Sequence, residues 1–172
     1  MAGEEGRAQR AFACRAAPAA AGRAVRRAAR ERACLKSFSY FEHDADIGII
    51  GRGATLERAF ESAAEAMFAV MADPQSLLRE SQEVSVSFTE DDVELALVQW
   101  LNALLGAARE RGAVFRRFAL AREGPRWSGR AWGEPWRESS ERGTEVKGAT
   151  LTMLSVRQAD GAGWEARCVI DV

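Results

Sequence analysis

The chain has 172 residues, 47% of them hydrophobic, which is enough for one domain with a sizeable core. Its three cysteines, Cys14, Cys34 and Cys168, are odd in number and lack Cys-x-x-Cys spacing, which argues against a disulfide framework or a zinc knuckle, and no apolar run approaches the roughly 18 residues that a membrane span needs. The near balance of 24 Lys and Arg against 25 Asp and Glu hides an asymmetry: residues 1–36 hold nine basic residues against three acidic ones, leaving fifteen against twenty-two in the rest.

Residues 1–36 are rich in Ala and Arg and almost without large apolar side chains, so burial cannot offset their ordering entropy. They are expected to form a disordered basic extension ahead of a domain over 37–172. An organellar transit peptide shares this Arg-rich composition, but the scarcity of Ser and the breaks at Gly3, Gly6 and Gly22 weigh against one. The acidic remainder suits a cation or a basic protein surface, not a grip on phosphates. No direct nucleic-acid binding and no membrane partner are expected, and the cysteine usage fits a reducing, cytoplasmic compartment.

Phe38, Tyr40 and the run Ile47, Ile49, Ile50 predict one or two strands around Glu42, His43, Asp44 and Asp46, closed by a turn at Gly51-Arg52-Gly53. Thr55 is placed to cap a helix whose apolar positions Leu56, Ala59, Phe60, Ala63, Met67, Phe68 and Met71 recur at helical spacing, with an end near Asp73-Pro74. Residues 83–90 alternate as a half-solvated strand. Asp91 or Asp92 then caps a second helix with a stripe of Leu97, Val98, Leu101, Leu104 and Leu105, finished by Arg109, Arg111 and Gly112.

Beyond Gly112, Val114, Phe118 and Leu120 predict a strand, Glu123 to Arg126 a turn, and Trp127 and Trp132 a returning strand. Residues 133–143 read as an exposed loop. Residues 145–156 and 164–172 read as two final strands joined by a turn over 159–163, with Trp164, Ala166, Cys168 and Ile170 on one face and Arg167, Val169 and Asp171 on the other. Two helices among about seven strands linked by short turns make an α+β fold, the helices packed on a mostly antiparallel or mixed sheet. There is no Gly-rich phosphate loop.

A single histidine removes most His-based metal clusters, because a catalytic zinc usually needs two or three imidazoles. What remains is oxygen chemistry. Asp44 and Asp46, two apart on an extended segment, are expected on one side about 6–7 Å apart, with His43 pointing away from both. They can converge on a hard cation but cannot fill its shell alone. Asp171 and the carboxylate of Val172, at the end of a convincing strand, offer further fixed oxygens. The blander reading has Asp46 capping a turn and Asp171 solvated.

The string His43-Asp44-Ala45-Asp46-Ile47-Gly48 resembles the His-x-Ala-Asp-Ile/Val-Gly opening of the archease family. It is followed in family order by Thr55 to Glu61, Ala66 to Phe68, Glu145 to Thr150 and Val169 to Val172. The resemblance covers residues 38–172 and implies a single archease-like domain acting as accessory activator of the RtcB-type RNA ligase of tRNA splicing and RNA repair. It implies no catalysis of the chain's own, but promotion of ligase guanylylation and multiple turnover through an acidic site. Carried over residue by residue, that divalent-cation site is Asp46, Asp171 and Val172, with calcium as the cation and magnesium or manganese as alternatives. His43, Asp44 and Lys147 are additional candidates for the site or for partner contact. A stand-alone metal-dependent hydrolase and a chaperone-like binding module for RNA-modifying enzymes are the alternatives. The chain departs from the family at Leu151 and Thr152, where a Tyr-His pair is common.

Overall fold

A computed structural model describes residues 37–72, 78–137, 142–159 and 163–172. The expected basic extension, the end of the first helix at Asp73-Pro74 and the middle of the 159–163 turn lie outside the described residues. In chain order the elements are β1 (Phe38–His43), β2 (Asp46–Gly53), α1 (Leu56–Met71), β3 (Gln82–Thr89), α2 (Val93–Arg111), β4 (Ala113–Glu123), β5 (Arg126–Pro135), β6 (Gly148–Ala149), β7 (Ser155–Ala159) and β8 (Gly163–Asp171). They form an α+β fold with two antiparallel sheets. One runs β1-β2-β8-β6, with β7 also paired to β8; the other runs β3-β5-β4.

Both helices start and stop where local chemistry dictates. Thr55 Oγ1 accepts the Arg58 N–H, Asp92 Oδ1 accepts those of Glu94 and Leu95, and Gly112 closes α2 in the left-handed conformation. α1 is buried around most of its circumference because it lies against both sheets. Ala59 and Ala63 meet β2, while Phe60 stacks on Trp127 of β5 at 5.2 Å. The buried carboxylate of Glu61 pairs with Arg58 and accepts the Leu120 N–H of β4 at 2.9 Å. Trp100 of α2 donates its indole N–H to the Phe60 carbonyl and lies over Gly129 of β5.

Three sequence expectations are corrected. Gly51-Arg52-Gly53 is not a turn but the end of β2. A Cβ on Gly51 would run into the Ala59 carbonyl and the Ala63 nitrogen, so this glycine permits the close approach of helix to strand. The exposed loop over 133–143 begins later than expected: Gly133 to Pro135 continue β5, Gly133 pairs with Phe115, and Glu134 is buried beside Arg137. Finally, residues 145–156 are not one strand. β6 and β7 both pair with β8, and residues 150–154 bulge away from it between them.

Candidate functional site

The motif residues lie at one tip of the five-stranded sheet. β1 and β2 form a hairpin with only Asp44 and Ala45 between the paired residues His43 and Asp46. Asp44 takes φ 47°, a left-handed conformation that Asp tolerates better than most residues. The turn overturns the expected side-chain directions. Asp44 is not part of an extended run with Asp46, and His43 is the cross-strand partner of Asp46, so the two share a face. Alternation along one strand cannot be carried through a tight turn.

The register extends the row further. β2 pairs with β8 from Ile47 and Ile170 onward, so the next positions outward are Asp46 and Asp171. On the far side of β8, Asp171 pairs with Gly148 of β6. His43, Asp46, Asp171 and Gly148 therefore follow one another across four strands, on the face turned away from α1. In the row behind, the Phe41 ring lies across Gly48. His43 Nδ1 is buried and has no hydrogen-bond partner.

Lys147 joins this group through space. Its backbone N–H donates to the Asp171 carbonyl at 2.8 Å. Its ammonium donates to the Val172 carbonyl oxygen at 2.9 Å and lies 3.9 Å from Asp171 Oδ1. Asp171, Val172 and Lys147 are thus in contact, Asp46 and His43 stand in the same row, and Asp44 sits exposed at the hairpin tip. Among the described residues, no set of three or more His, Cys, Asp and Glu side chains is gathered in metal-holding geometry.

Two positioning residues escaped the sequence reading. Asn102 of α2 donates its amide N–H to the Ala149 carbonyl at 3.0 Å and accepts the Ala149 N–H at 2.9 Å, substituting for a neighbouring strand on the open edge of β6. Arg109 donates to the carbonyls of Val146 and Lys147 at 3.0 and 2.7 Å. Its place in the last helical turn reads as ordinary dipole chemistry, whereas here it clamps the segment that carries Lys147 into β6. The signal for Asn102 was one polar residue beside the Leu101, Leu104 and Leu105 stripe. On the opposite face of β8, Cys168 is fully enclosed, and burial pushes its thiol up to about 12, so it offers no nucleophile.

A family model for the archease protein family matches residues 38–172. The chain is 37% identical over 141 residues to a protein named archease from Sulfolobus acidocaldarius, covering 80% of this chain and 100% of the relative. The corresponding protein of Methanothermobacter thermautotrophicus is 35% identical over 142 residues with the same coverage. This chain belongs to the archease family.

Solved structures agree with the fold. A solution structure of a Methanobacterium thermoautotrophicum protein, 34% identical, matches with a TM-score of 0.69 over 80% of this chain and all of the other. A Thermotoga maritima crystal structure, whose description reads archease, possible chaperone, is 21% identical with a TM-score of 0.53, covering 77% of this chain and 94% of that one; it supports the fold alone. No helix among the described residues is long and apolar enough to cross a membrane. The archease-family match over residues 38–172 spans the whole row of site residues, from His43 near its start to Asp171 and Val172 at its end.

Proposed function

We propose that this archease-family protein is the accessory activator of an RtcB-type RNA ligase, acting in the cytoplasm as a non-catalytic factor that promotes ligase guanylylation and repeated turnover. The observation that carries the reading is the β2–β8 register, which sets Asp46 opposite Asp171 with Val172 and Lys147 alongside. Asp46, Asp171 and Val172 would hold a divalent cation, calcium by family resemblance, with magnesium or manganese as alternatives. The donor chemistry suits one, since all three offer hard oxygens, and an ion bound there would compete with the Lys147 ammonium, which lies 2.9 Å from the Val172 oxygen and 3.9 Å from Asp171 Oδ1.

The donor set is incomplete for a calcium ion, which takes about six to eight oxygens, so water or a partner must supply the rest. An incomplete shell at an exposed tip suits presentation to another protein better than storage of an ion. When bound, the cation supplies a concentrated positive charge there. His43 lines the same face, and Lys147 holds the chain end against Asp171.

The test is multiple-turnover ligation by the host ligase with and without this protein. Wild-type protein should raise the number of turnovers per ligase, and Asp46→Ala should fold normally yet give no stimulation. Unchanged turnover with Asp46→Ala would refute the mechanism.

A further inference from the structure

Lysine is nearly absent from this chain. Of its 24 basic residues only Lys36 and Lys147 are lysines, and every other one is arginine. Lys147 is therefore the one lysine of the domain over 37–172, and it stands at the candidate site. Other ion pairs among the described residues are made by arginine, Glu80 with Arg117 and Glu165 with Arg52 and Arg157 among them. The two side chains differ in what they can do. A guanidinium is a rigid planar fork that grips a carboxylate through two parallel bonds, whereas an ammonium is a compact charge on a flexible stem, nearer in shape to a metal ion.

The geometry separates what is fixed in Lys147 from what can move. Its backbone is held on both sides, the N–H donating to the Asp171 carbonyl at 2.8 Å and the carbonyl accepting from Arg109 at 2.7 Å. Its side chain is 62% exposed and rests on the chain end, 2.9 Å from the Val172 oxygen and 3.9 Å from Asp171 Oδ1. The longer distance is beyond a hydrogen bond, and an ion pair so open to solvent is weak. The ammonium thus sits lightly on two of the three residues that would hold the cation.

We propose that Lys147 is a built-in competitor of the divalent cation. In the ion-free protein its ammonium offsets the charge of Asp171 and the chain end, and it gives way, its backbone in place, when the ion binds. The inference rests on the cation-site reading above and adds what sets that site's affinity. Coulomb's law gives the direction, because an ammonium and a divalent ion on the same oxygens repel each other. The weakness of an exposed pair gives the scale: losing the competitor should tighten cation binding about fivefold. An arginine at this position would grip Asp171 through two bonds and yield less readily. Because Arg109 and Asp171 hold the backbone, the freed ammonium stays at the same tip of the sheet.

The test is calorimetric titration of the full chain with calcium and, separately, with manganese, for wild type, Lys147→Met and Lys147→Arg, with thermal melts to show that each variant is folded. Lys147→Met keeps the stem and loses the charge, so it should bind either ion about fivefold tighter than wild type, whereas Lys147→Arg should bind no tighter. A second readout follows the ammonium itself. After reductive methylation with isotope-labelled formaldehyde, the dimethyl resonance of Lys147, identified by its loss in Lys147→Met, should shift when wild type is saturated with calcium. Affinity in Lys147→Met equal to or below that of wild type overturns the competitor and leaves the cation site standing. A Lys147 resonance that stays in place while calcium binds does the same. Binding seen in Lys147→Met alone supports the proposal, and no binding of either ion by wild type or variants overturns the cation site and the competitor together.

Discussion

Asn102 offers the sharpest test of how the site is held, because one side chain makes both hydrogen bonds that a missing strand would have made to β6. Replacing it with Ala removes the 3.0 and 2.9 Å bonds to Ala149. At a net 0.5–1.5 kcal/mol each the gross loss is about 2 kcal/mol. Ala is the better helix former by roughly 0.6 kcal/mol, which leaves a net loss of about 1–1.5 kcal/mol. For a domain of this size that lowers Tm by about 4 °C. Since β6 has only two residues, paired to Asp171 and Ile170, losing the outer bonds frees the segment that carries Lys147. Amide hydrogen exchange reads this directly. The Ala149 N–H should lose protection in Asn102→Ala, while Ala166, deep in β8 between β2 and β7, keeps its own. Unchanged protection at Ala149, or a variant as stable as wild type, would show that β6 is held by β8 alone and that α2 does not position the site.

Glu65 is half-buried, and burial holds its carboxyl above the ordinary 4.5 despite the Ser37 hydrogen bond and the nearby Arg58 charge. A carboxyl whose folded value is raised destabilises the fold once it ionises, so the penalty is absent in acid and grows as pH rises through the 4.5 of the unfolded chain and the higher folded value. Glu65→Gln should therefore be more stable than wild type at neutral pH, with the gap closing below about pH 4.5 in denaturant titrations; a gap independent of pH would contradict the assignment. Cys168, enclosed and with its thiol pushed up to about 12, should resist a thiol reagent at pH 8 in a variant with Cys14 and Cys34 replaced by Ser, reacting only in denaturant. Fast labelling of the native protein would mean that β8 opens locally.

Several features were legible because they are local. The helices announce themselves through apolar spacing and through Thr55, Asp92 and Gly112, whose capping roles depend on residues at most four positions away. The misreadings arise where one signal has two physical meanings. Gly51 and Gly53 read as turn formers, but the feature used at Gly51 is its missing side chain, which lets α1 approach. Pro135 ends β5 at its exposed last position instead of excluding the strand. The pattern of residues 145–156 does not reveal that residues 150–154 bulge between β6 and β7 while Thr150 and Thr152 stay bonded to Val169.

Periodicity and caps in this chain are enough to define two amphipathic helices and a set of strands, because each depends on neighbours a few residues apart. Which strands pair, and in what register, rests on packing between distant segments. The alignment of Asp46 with Asp171, 125 positions later and one step beyond the Ile47–Ile170 pair, exists because the buried Ile49, Cys168 and Ile170 must all face α1, and a slip of one residue would turn them to solvent. The same constraint sends the acids and His43 to the outer face. Burial of the apolar set on one side of the sheet is the physical reason that the polar residues are gathered on the other.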